Sequence, residues 1–175
     1  YRSMTQLLGM KPDEHEYKIM GLAGYAKRDH YLKLLDEFRK TQVVNGLNFE
    51  FIDRPKDIYE HFRSKTEGYR FDSIAGALQE YTEEILCKWT RNAIETTNLS
   101  HVMFGGGVAM NMKAMMKIGE LDEVGSVFVP ATPSDESLPI GCAYARYYDK
   151  VLSQGDDPNE LINALSEGYL GPEVR

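Results

Sequence analysis

Three consecutive glycines stand in the stretch FGGGVAMN, residues 104–111, between a short apolar run and a pattern typical of a helix. In an open α/β sheet, a glycine turn beyond a strand brings backbone N–H groups and a helix N-terminus close to an anion. The spacing matches neither the Rossmann nor the P-loop pattern. Gly105, Gly106 and Gly107 therefore predict either a phosphate- or nucleotide-binding loop or a packing turn that needs positive φ. Asn111 is interpreted as a ligand contact or as an exposed helix residue.

A second loop, ATPSDES at residues 131–137, follows the apolar run SVFVP and precedes another helical pattern. Asp135 has two interpretations there. It caps the next helix, a role shared with Ser134 and favoured by the residue types alone. Alternatively, its carboxylate binds a metal or positions phosphates beside the glycine loop.

Glu16 and Lys18 precede the small-residue segment IMGLAGY, so both side chains are candidates to line a cleft. A solvated pair of charges is the more frequent outcome for such residues. The histidines of the chain form no HxxxH or HExxH pair, which removes the common metal-binding spacings of histidine.

The elements that position these residues follow from apolar spacing. Residues 29–40 and 71–97 carry apolar side chains at three- and four-residue intervals and are predicted as helices. VVNGLNFEFI alternates like strand around Asn45-Gly46, a favoured hairpin turn. Residues 101–119 and 126–152 each follow a strand-loop-helix pattern. Two such units in succession predict an α/β fold with a parallel sheet covered by helices.

Composition excludes some classes of partner. The 175 residues carry a net charge of −7 and a pI of about 5.1 without a basic cluster, which argues against a nonspecific nucleic-acid surface. No apolar run approaches the roughly 20 residues that span a bilayer, so no membrane partner is predicted. Cys87 and Cys142 are expected to be buried and reduced, which suits a cytoplasmic protein. The chain begins with Tyr1 in a helical pattern, and we expect an excised fragment.

Five stretches, in this order, resemble motifs of the carbamoyltransferase family that includes nodulation-factor and aminoglycoside O-carbamoyltransferases. They are YRSMTQLLG (1–9), EYKIMGLAGY (16–25), FDSIA (71–75), GGVAMN (106–111) and SDESLPIGCA (134–143). The chain departs from the family pattern at Gly24, where Pro is frequent, and at Ser134 and Ser137, where Gly is frequent. Ordered matches over most of the chain are far more specific than any one motif.

The resemblance implies a fold and a domain arrangement. The expected fold is an actin/Hsp70/sugar-kinase-like lobe with a mixed sheet of parallel strands covered by helices, similar to the catalytic subunit that makes threonylcarbamoyladenosine in tRNA. Residues 1–154 are expected to be the second half, or C-terminal lobe, of the family's N-terminal carbamoyltransferase domain. Residues 155–175 are expected to be a linker helix and the start of the junction to an absent YrdC-like domain.

The resemblance also implies chemistry. The YrdC-like domain makes carbamoyl-adenylate from carbamoyl phosphate and ATP, and the other domain transfers the carbamoyl group to a hydroxyl of a small-molecule or sugar acceptor. A divalent metal, iron in related proteins, holds the adenylate phosphate through a histidine pair and aspartates, one of which matches Asp135. This implication outweighs the local preference for a cap.

By the same resemblance, the site residues are Gly105, Gly106, Gly107 and Asn111 at the nucleotide, with Glu16 and Lys18 near the nucleotide or acceptor. No catalytic base is recognised in these residues, so the chain alone is expected to be inactive in carbamoyl transfer. The alternatives are an ATPase or sugar-kinase-like lobe, and a nucleotide-binding module without catalysis.

Overall fold

Helices make up more than half of the residues that the structure describes. A computed structural model describes residues 1–161. Its helices are α1 (Arg2–Leu7), α2 (Glu16–Ala23), α3 (Leu32–Thr41), α4 (Ile58–Thr66), α5 (Phe71–Thr97), α6 (Met112–Gly119), α7 (Leu138–Gln154) and α8 (Pro158–Leu161). Its strands are β1 (Gln42–Asn45), β2 (Asn48–Phe51), β3 (His101–Met103) and β4 (Ser126–Phe128). Short 3-10 turns occupy Arg28–His30, Gly107–Met110 and Asp135–Ser137.

The chain divides into two compact units. The first contains residues 1–102 and 111–127, and the second contains residues 103–110 and those from 128 onward. The predicted linker segment, residues 155–175, includes α8, and its part from residue 162 onward lies outside the described residues. Among residues 1–161, no helix combines the length and apolar character of a bilayer-spanning segment.

The core of the first unit surrounds α5, the long helix predicted at 71–97. Helices α2 and α3 bury apolar side chains against α5, and α4 packs through Phe62 on Phe38 of α3. The fully buried or nearly buried members include Ile19, Leu34, Leu35, Phe38, Phe62, Ile74, Ala75 and Leu78. In the first turn of α5, Asp72 accepts hydrogen bonds from Arg70 and from the Ser73 backbone N–H. A carboxylate is favourable there because it faces the positive end of the helix dipole.

The predicted hairpin is confirmed. Strands β1 and β2 pair antiparallel with Asn45 opposite Asn48, and Gly46 adopts a φ of 56° in the two-residue turn. Helix α5 holds this turn, since Trp89 Nε1–H donates to the Leu47 carbonyl and Asn92 Nδ2 donates to the Gly46 carbonyl.

Strands β3 and β4 form a separate pair, connected through α6. The backbone hydrogen bonds advance in the same direction along both strands, from Ser126–Ser100 to Phe104–Phe128, as in a parallel pair. Within residues 1–161 the predicted mixture of helices and strands is confirmed, but the strands form two small sheets rather than the mixed sheet that the family resemblance implied. The reason is local: β1 and β2 are joined by a tight turn and pair only with each other.

Among the described residues of the second unit, α7 is the longest element, and it is followed by Gly155, whose φ of 83° is typical of the residue after a helix. Val151 is the buried apolar residue of this helix. Cys142 lies nine positions earlier, about half a turn away around the helix axis, and is exposed. The prediction that both cysteines are buried is therefore wrong for Cys142, and Cys87 is half-buried.

An ion-pair cluster joins α3 to α4 and predicts a pH dependence of stability. Glu37 accepts hydrogen bonds from Lys65 Nζ at 2.7 Å and Lys40 Nζ at 2.9 Å. These bonds, that from Lys65 foremost, lower the pKa of Glu37 from its usual 4.5 to about 2. Because the folded pKa is the lower one, this stabilisation is present above pH 4.5 and is lost as the pH falls towards 2.

Replacing this carboxylate should flatten that pH dependence. We expect Glu37→Gln to lower the free energy of unfolding at pH 7 by about 1 kcal/mol or less, since both lysines are solvent-exposed. The difference from wild type should vanish near pH 2. Urea denaturation at pH 7, 4.5 and 2.5 measures this, with Glu95→Gln on α5 as the exposed control. A constant difference at all three pH values would contradict the prediction.

Candidate functional site

The glycine loop, residues 105–107, follows β3 and lies exposed in the second unit. Gly106 has a φ of 93°, a conformation that side chains rarely adopt. Its N–H donates to the Pro133 carbonyl at 2.6 Å, so the glycine loop and the loop preceding α7 are joined by a backbone hydrogen bond. At Gly106, the positive φ of the packing-turn interpretation is observed.

Gly105 and Gly107 do not need to be glycine for conformational reasons, since neither has a positive φ. A Cβ added to Gly105 would meet nothing within 4 Å, and one added to Gly107 would meet only Ser134 Oγ at 3.7 Å. The described fold therefore does not require glycine at either position. Bare backbone with open space beside it allows close approach by another molecule, which is what the nucleotide-binding interpretation needs.

Asp135 is exposed at the start of the 3-10 turn that leads into α7. The capping interpretation is not observed, because Asp135 lies inside the turn and the N-cap residue, Ser134, makes no side-chain capping bond. The turn is closed instead by Ser137, whose hydroxyl donates to the Ser134 carbonyl at 2.8 Å. In the part of the chain that the structure describes, the Asp135 carboxylate forms no ion pair.

The described residues do not by themselves fit a metal site. Among residues 1–161, no three histidine, cysteine, aspartate or glutamate side chains converge closely enough to hold an ion. Asp135 would supply one oxygen ligand, and a divalent cation such as iron needs several. Its assignment as a metal ligand stays a prediction that requires donors from elsewhere.

Asn111 is buried in the first unit, where it is the N-cap of α6, so the interpretation as an exposed helix residue is wrong. Its Oδ1 accepts from the Ala114 N–H at 3.1 Å and from Gln79 Nε2 at 2.9 Å. Its Nδ2 donates to Gln79 Oε1 at 2.9 Å and to the Tyr1 hydroxyl at 3.1 Å. All four hydrogen-bonding positions of the amide are thus occupied. Contact with a nucleotide stays a prediction, and it requires that one of these bonds open.

Gln79 is equally well satisfied at the centre of this network. It is 2% exposed, accepts from the Tyr1 hydroxyl and donates to Glu83 Oε1 at 2.8 Å in addition to its two bonds with Asn111. Burial raises the pKa of Tyr1 above its usual range, so its hydroxyl stays neutral and able to donate. The network joins Tyr1, the residue before α1, to α5 and α6 through two amides and a phenol, without a buried charge at its centre.

Glu16 and Lys18 lie on α2, a helix that begins at Glu16. The Glu16 carboxylate accepts from the Asp13 N–H at 2.8 Å and supports a turn in which Asp13 has a φ of 67°. Lys18 is exposed, with its ammonium 5.8 Å from the Tyr17 ring centroid. Residues two apart on a helix do not share a face, so the two charges do not line a common cleft.

A polar groove along α5 was not predicted from the sequence. It has a volume of about 730 Å³, lies within the first unit between α6 and Tyr31, and includes Gln79, Glu80, Glu83, Lys113 and Lys117 in its lining. Burial opposes ionisation of Glu80, but hydrogen bonds from Arg28 and Tyr31 outweigh it and lower the pKa of Glu80. The sequence signal that could have indicated this groove is the set of polar side chains that recur at helical spacing on α5.

The structure therefore groups the predicted site residues in two sets. Gly105, Gly106, Gly107 and Asp135 belong to loops of the second unit, joined through the Gly106–Pro133 bond. Asn111, Glu16 and Lys18 belong to the first unit. Within the first set the residues have few internal partners, whereas Asn111 and Glu16 already support the fold.

Comparison with known proteins agrees with the motif pattern. The family model described as carbamoyltransferase N-terminus matches residues 1–144. The uncharacterized protein MJ1051 of Methanocaldococcus jannaschii is 32% identical over 181 residues, which cover 99% of this chain and 32% of that protein.

Two nodulation proteins are similar over 91% of this chain at 25% identity: NolO of Bradyrhizobium diazoefficiens and NolNO of Sinorhizobium fredii. The matched regions cover 29% and 23% of those proteins, so the chain spans about a third or less of the length of the curated relatives it matches. Because the family model covers most of the chain, the protein belongs to the carbamoyltransferase family, in its N-terminal region.

Proposed function

We propose that this chain forms the nucleotide-facing part of an O-carbamoyltransferase, which transfers a carbamoyl group from carbamoyl-adenylate to a hydroxyl of a small-molecule or sugar acceptor. The observation that carries the proposal is the glycine loop: Gly105 and Gly107 have open backbone that the described fold does not explain. This loop is hydrogen-bonded to the loop that leads into Asp135.

The proposed reaction is an acyl-type transfer. The acceptor oxygen forms a bond to the carbamoyl carbon, and the bond from that carbon to the adenylate phosphate oxygen breaks. AMP leaves with the electron pair, and the hydroxyl proton passes to a base that the described residues do not identify. Backbone N–H groups of a glycine turn suit the nucleotide phosphate because they donate to anionic oxygens without side-chain crowding.

The wider arrangement belongs to the same proposal. Carbamoyl-adenylate is made from carbamoyl phosphate and ATP by a YrdC-like domain of the full-length protein. Asp135 supplies one ligand to a divalent metal, iron in related proteins, and other segments supply the remaining ligands. Residues 1–154 form the C-terminal lobe of an actin/Hsp70/sugar-kinase-like domain, and residues 155–175 lead towards the YrdC-like domain. The protein works in the cytoplasm without nucleic-acid or membrane partners.

Glycine substitution tests the nucleotide site directly. Gly105→Val adds a side chain into open space at a residue without positive φ, so we expect stability to stay within about 0.5 kcal/mol of wild type. ATP affinity should fall at least 10-fold, because the branched side chain occupies the approach to the loop. Isothermal titration of the 175-residue protein with MgATP measures this affinity.

Gly141→Val is the matched control, since a Cβ at Gly141 on α7 also meets nothing within 4 Å. It should retain wild-type affinity for MgATP. Absence of MgATP binding by the wild-type protein, or equal affinities of the wild-type and Gly105→Val proteins, would overturn the proposed site. We expect the 175-residue protein to form no carbamate from carbamoyl phosphate, ATP and a polyol, because no catalytic base is identified among residues 1–161.

A further inference from the structure

We propose that Ser134 is an additional ligand-contacting residue, whose hydroxyl donates a hydrogen bond to a phosphate oxygen of the bound nucleotide. This inference deepens the proposed function and rests on it. It concerns a side chain that neither the glycine loop nor the metal prediction includes, and it assigns to that side chain a donor role towards an anionic ligand.

The position of Ser134 supports this role. Its Oγ lies 3.7 Å from the point where a Cβ of Gly107 would stand, so the hydroxyl faces the bare side of the glycine loop. The preceding residue, Pro133, is buried and accepts the Gly106 N–H at 2.6 Å. This backbone bond keeps the hydroxyl of Ser134 beside the glycines.

The Ser134 hydroxyl has no role in the described fold. Ser134 occupies the N-cap position of the Asp135–Ser137 turn, yet its side chain makes no capping hydrogen bond. Within residues 1–161, the Ser134 hydroxyl has no side-chain hydrogen-bond partner. Every fully buried side-chain oxygen in this part of the chain does have a partner, so the Ser134 hydroxyl is accessible to solvent. The nearby Ser137 differs, since its hydroxyl donates to the Ser134 carbonyl at 2.8 Å.

The charge of the neighbourhood selects the form of the ligand. Asp135 and Glu136 follow Ser134 directly and are exposed, and two carboxylates disfavour a bare anion. A phosphate bound to a divalent cation avoids this repulsion, because the cation offsets the charge of the two carboxylates. The Ser134 hydroxyl and the glycine backbone N–H groups can then donate hydrogen bonds to the remaining phosphate oxygens. MgATP is therefore the appropriate probe, and adenosine is the matched ligand without phosphate.

Three variants separate a hydrogen bond from a structural effect. Ser134→Ala should bind MgATP about 10-fold more weakly than wild type, because a hydrogen bond to a charged group is lost. Ser134→Thr should stay within about 3-fold of wild type, since it keeps the hydroxyl and the backbone at φ −90° and ψ −155° suits a β-branched residue. Ser153→Ala on α7, whose hydroxyl donates to Lys150, should equal wild type.

Isothermal titration with MgATP and with adenosine, together with thermal unfolding, gives the readouts. Affinity for adenosine should be equal in the wild-type and Ser134→Ala proteins, and the unfolding midpoints should agree. Unchanged MgATP affinity in Ser134→Ala, or an equal loss for MgATP and adenosine, would overturn the role of Ser134 while leaving the glycine site intact. Absence of MgATP binding by the wild-type protein would overturn the proposed function itself.

Discussion

The Asn111→Leu variant is expected to lower the free energy of unfolding by about 3 kcal/mol or more, although Asn111 belongs to the motif GGVAMN. The substitution removes the N-cap of α6, a loss of about 1 kcal/mol. It also removes two of the four hydrogen bonds of the buried Gln79 amide, each worth about 1 kcal/mol, and leaves Gln79 only its bonds with Tyr1 and Glu83. Urea denaturation of wild type and variant measures the difference.

A double-mutant cycle shows whether the paired amides are the cause. Gln79→Leu alone should be strongly destabilising because it leaves the amide of Asn111 short of partners. Gln79→Leu combined with Asn111→Leu should cost less than the sum of the single variants, since both members of the amide pair are then apolar. Additive losses would contradict the proposed coupling between the two amides.

The same experiment separates the structural role of Asn111 from the predicted ligand contact. If Asn111 serves chiefly to bind nucleotide, the leucine variant should lose MgATP affinity at nearly unchanged stability. The four internal hydrogen bonds of Asn111 predict instead that the main effect of the leucine substitution is a loss of stability. The motif would then contain glycines for the ligand and an asparagine for the fold.

Sequence predicted those elements whose signal is local. The apolar spacing over residues 71–97 gave the position of α5, and the Asn45-Gly46 dipeptide gave the hairpin. Both signals are contained within a few turns of chain, where side-chain period and turn chemistry act directly. The helical state of α2 was not predicted, because the glycines Gly21 and Gly24 obscure a helical pattern.

Contacts between residues far apart in the sequence could not be predicted from such local patterns. Asn111 meets Gln79 across 32 positions and Tyr1 across 110, and no periodicity relates them. The resemblance named candidate site residues without their contacts, so it did not distinguish Asn111 and Glu16, which support the fold, from Gly105 and Gly107, which do not. That distinction required three-dimensional geometry.

Gly76, directly after the motif FDSIA, illustrates the same point and supports the second large prediction. It lies buried within α5, where glycine is about 1 kcal/mol less favourable than alanine. A Cβ at this position would stand 2.6 Å from both the Ala26 Cβ and the Tyr31 Cε1. Neither side chain can move away easily. The Ala26 methyl group has no side-chain torsion that could reposition it, and the Tyr31 ring is buried with its hydroxyl bonded to Glu80.

Gly76→Leu is therefore expected to lower the free energy of unfolding by about 3 kcal/mol or more, because several heavy atoms enter a filled space. Gly76→Ala should lose about 1–2 kcal/mol, since the clash exceeds the gain in helix propensity. Gly21→Ala on α2 is the matched control: a Cβ there meets nothing within 4 Å, so this variant should be about 0.5–1 kcal/mol more stable than wild type.

Urea denaturation of the three variants tests these predictions. The test is decisive because the two alanine substitutions are expected to change the free energy of unfolding in opposite directions. If Gly76→Ala were as stabilising as Gly21→Ala, the close approach of the α2–α3 connection to α5 would be refuted. A smaller loss from Gly76→Ala in a Tyr31→Leu background would identify the ring as the source of the clash. Glycine would then be required at residue 76 by packing, whereas at residues 105 and 107 the fold leaves space for a ligand.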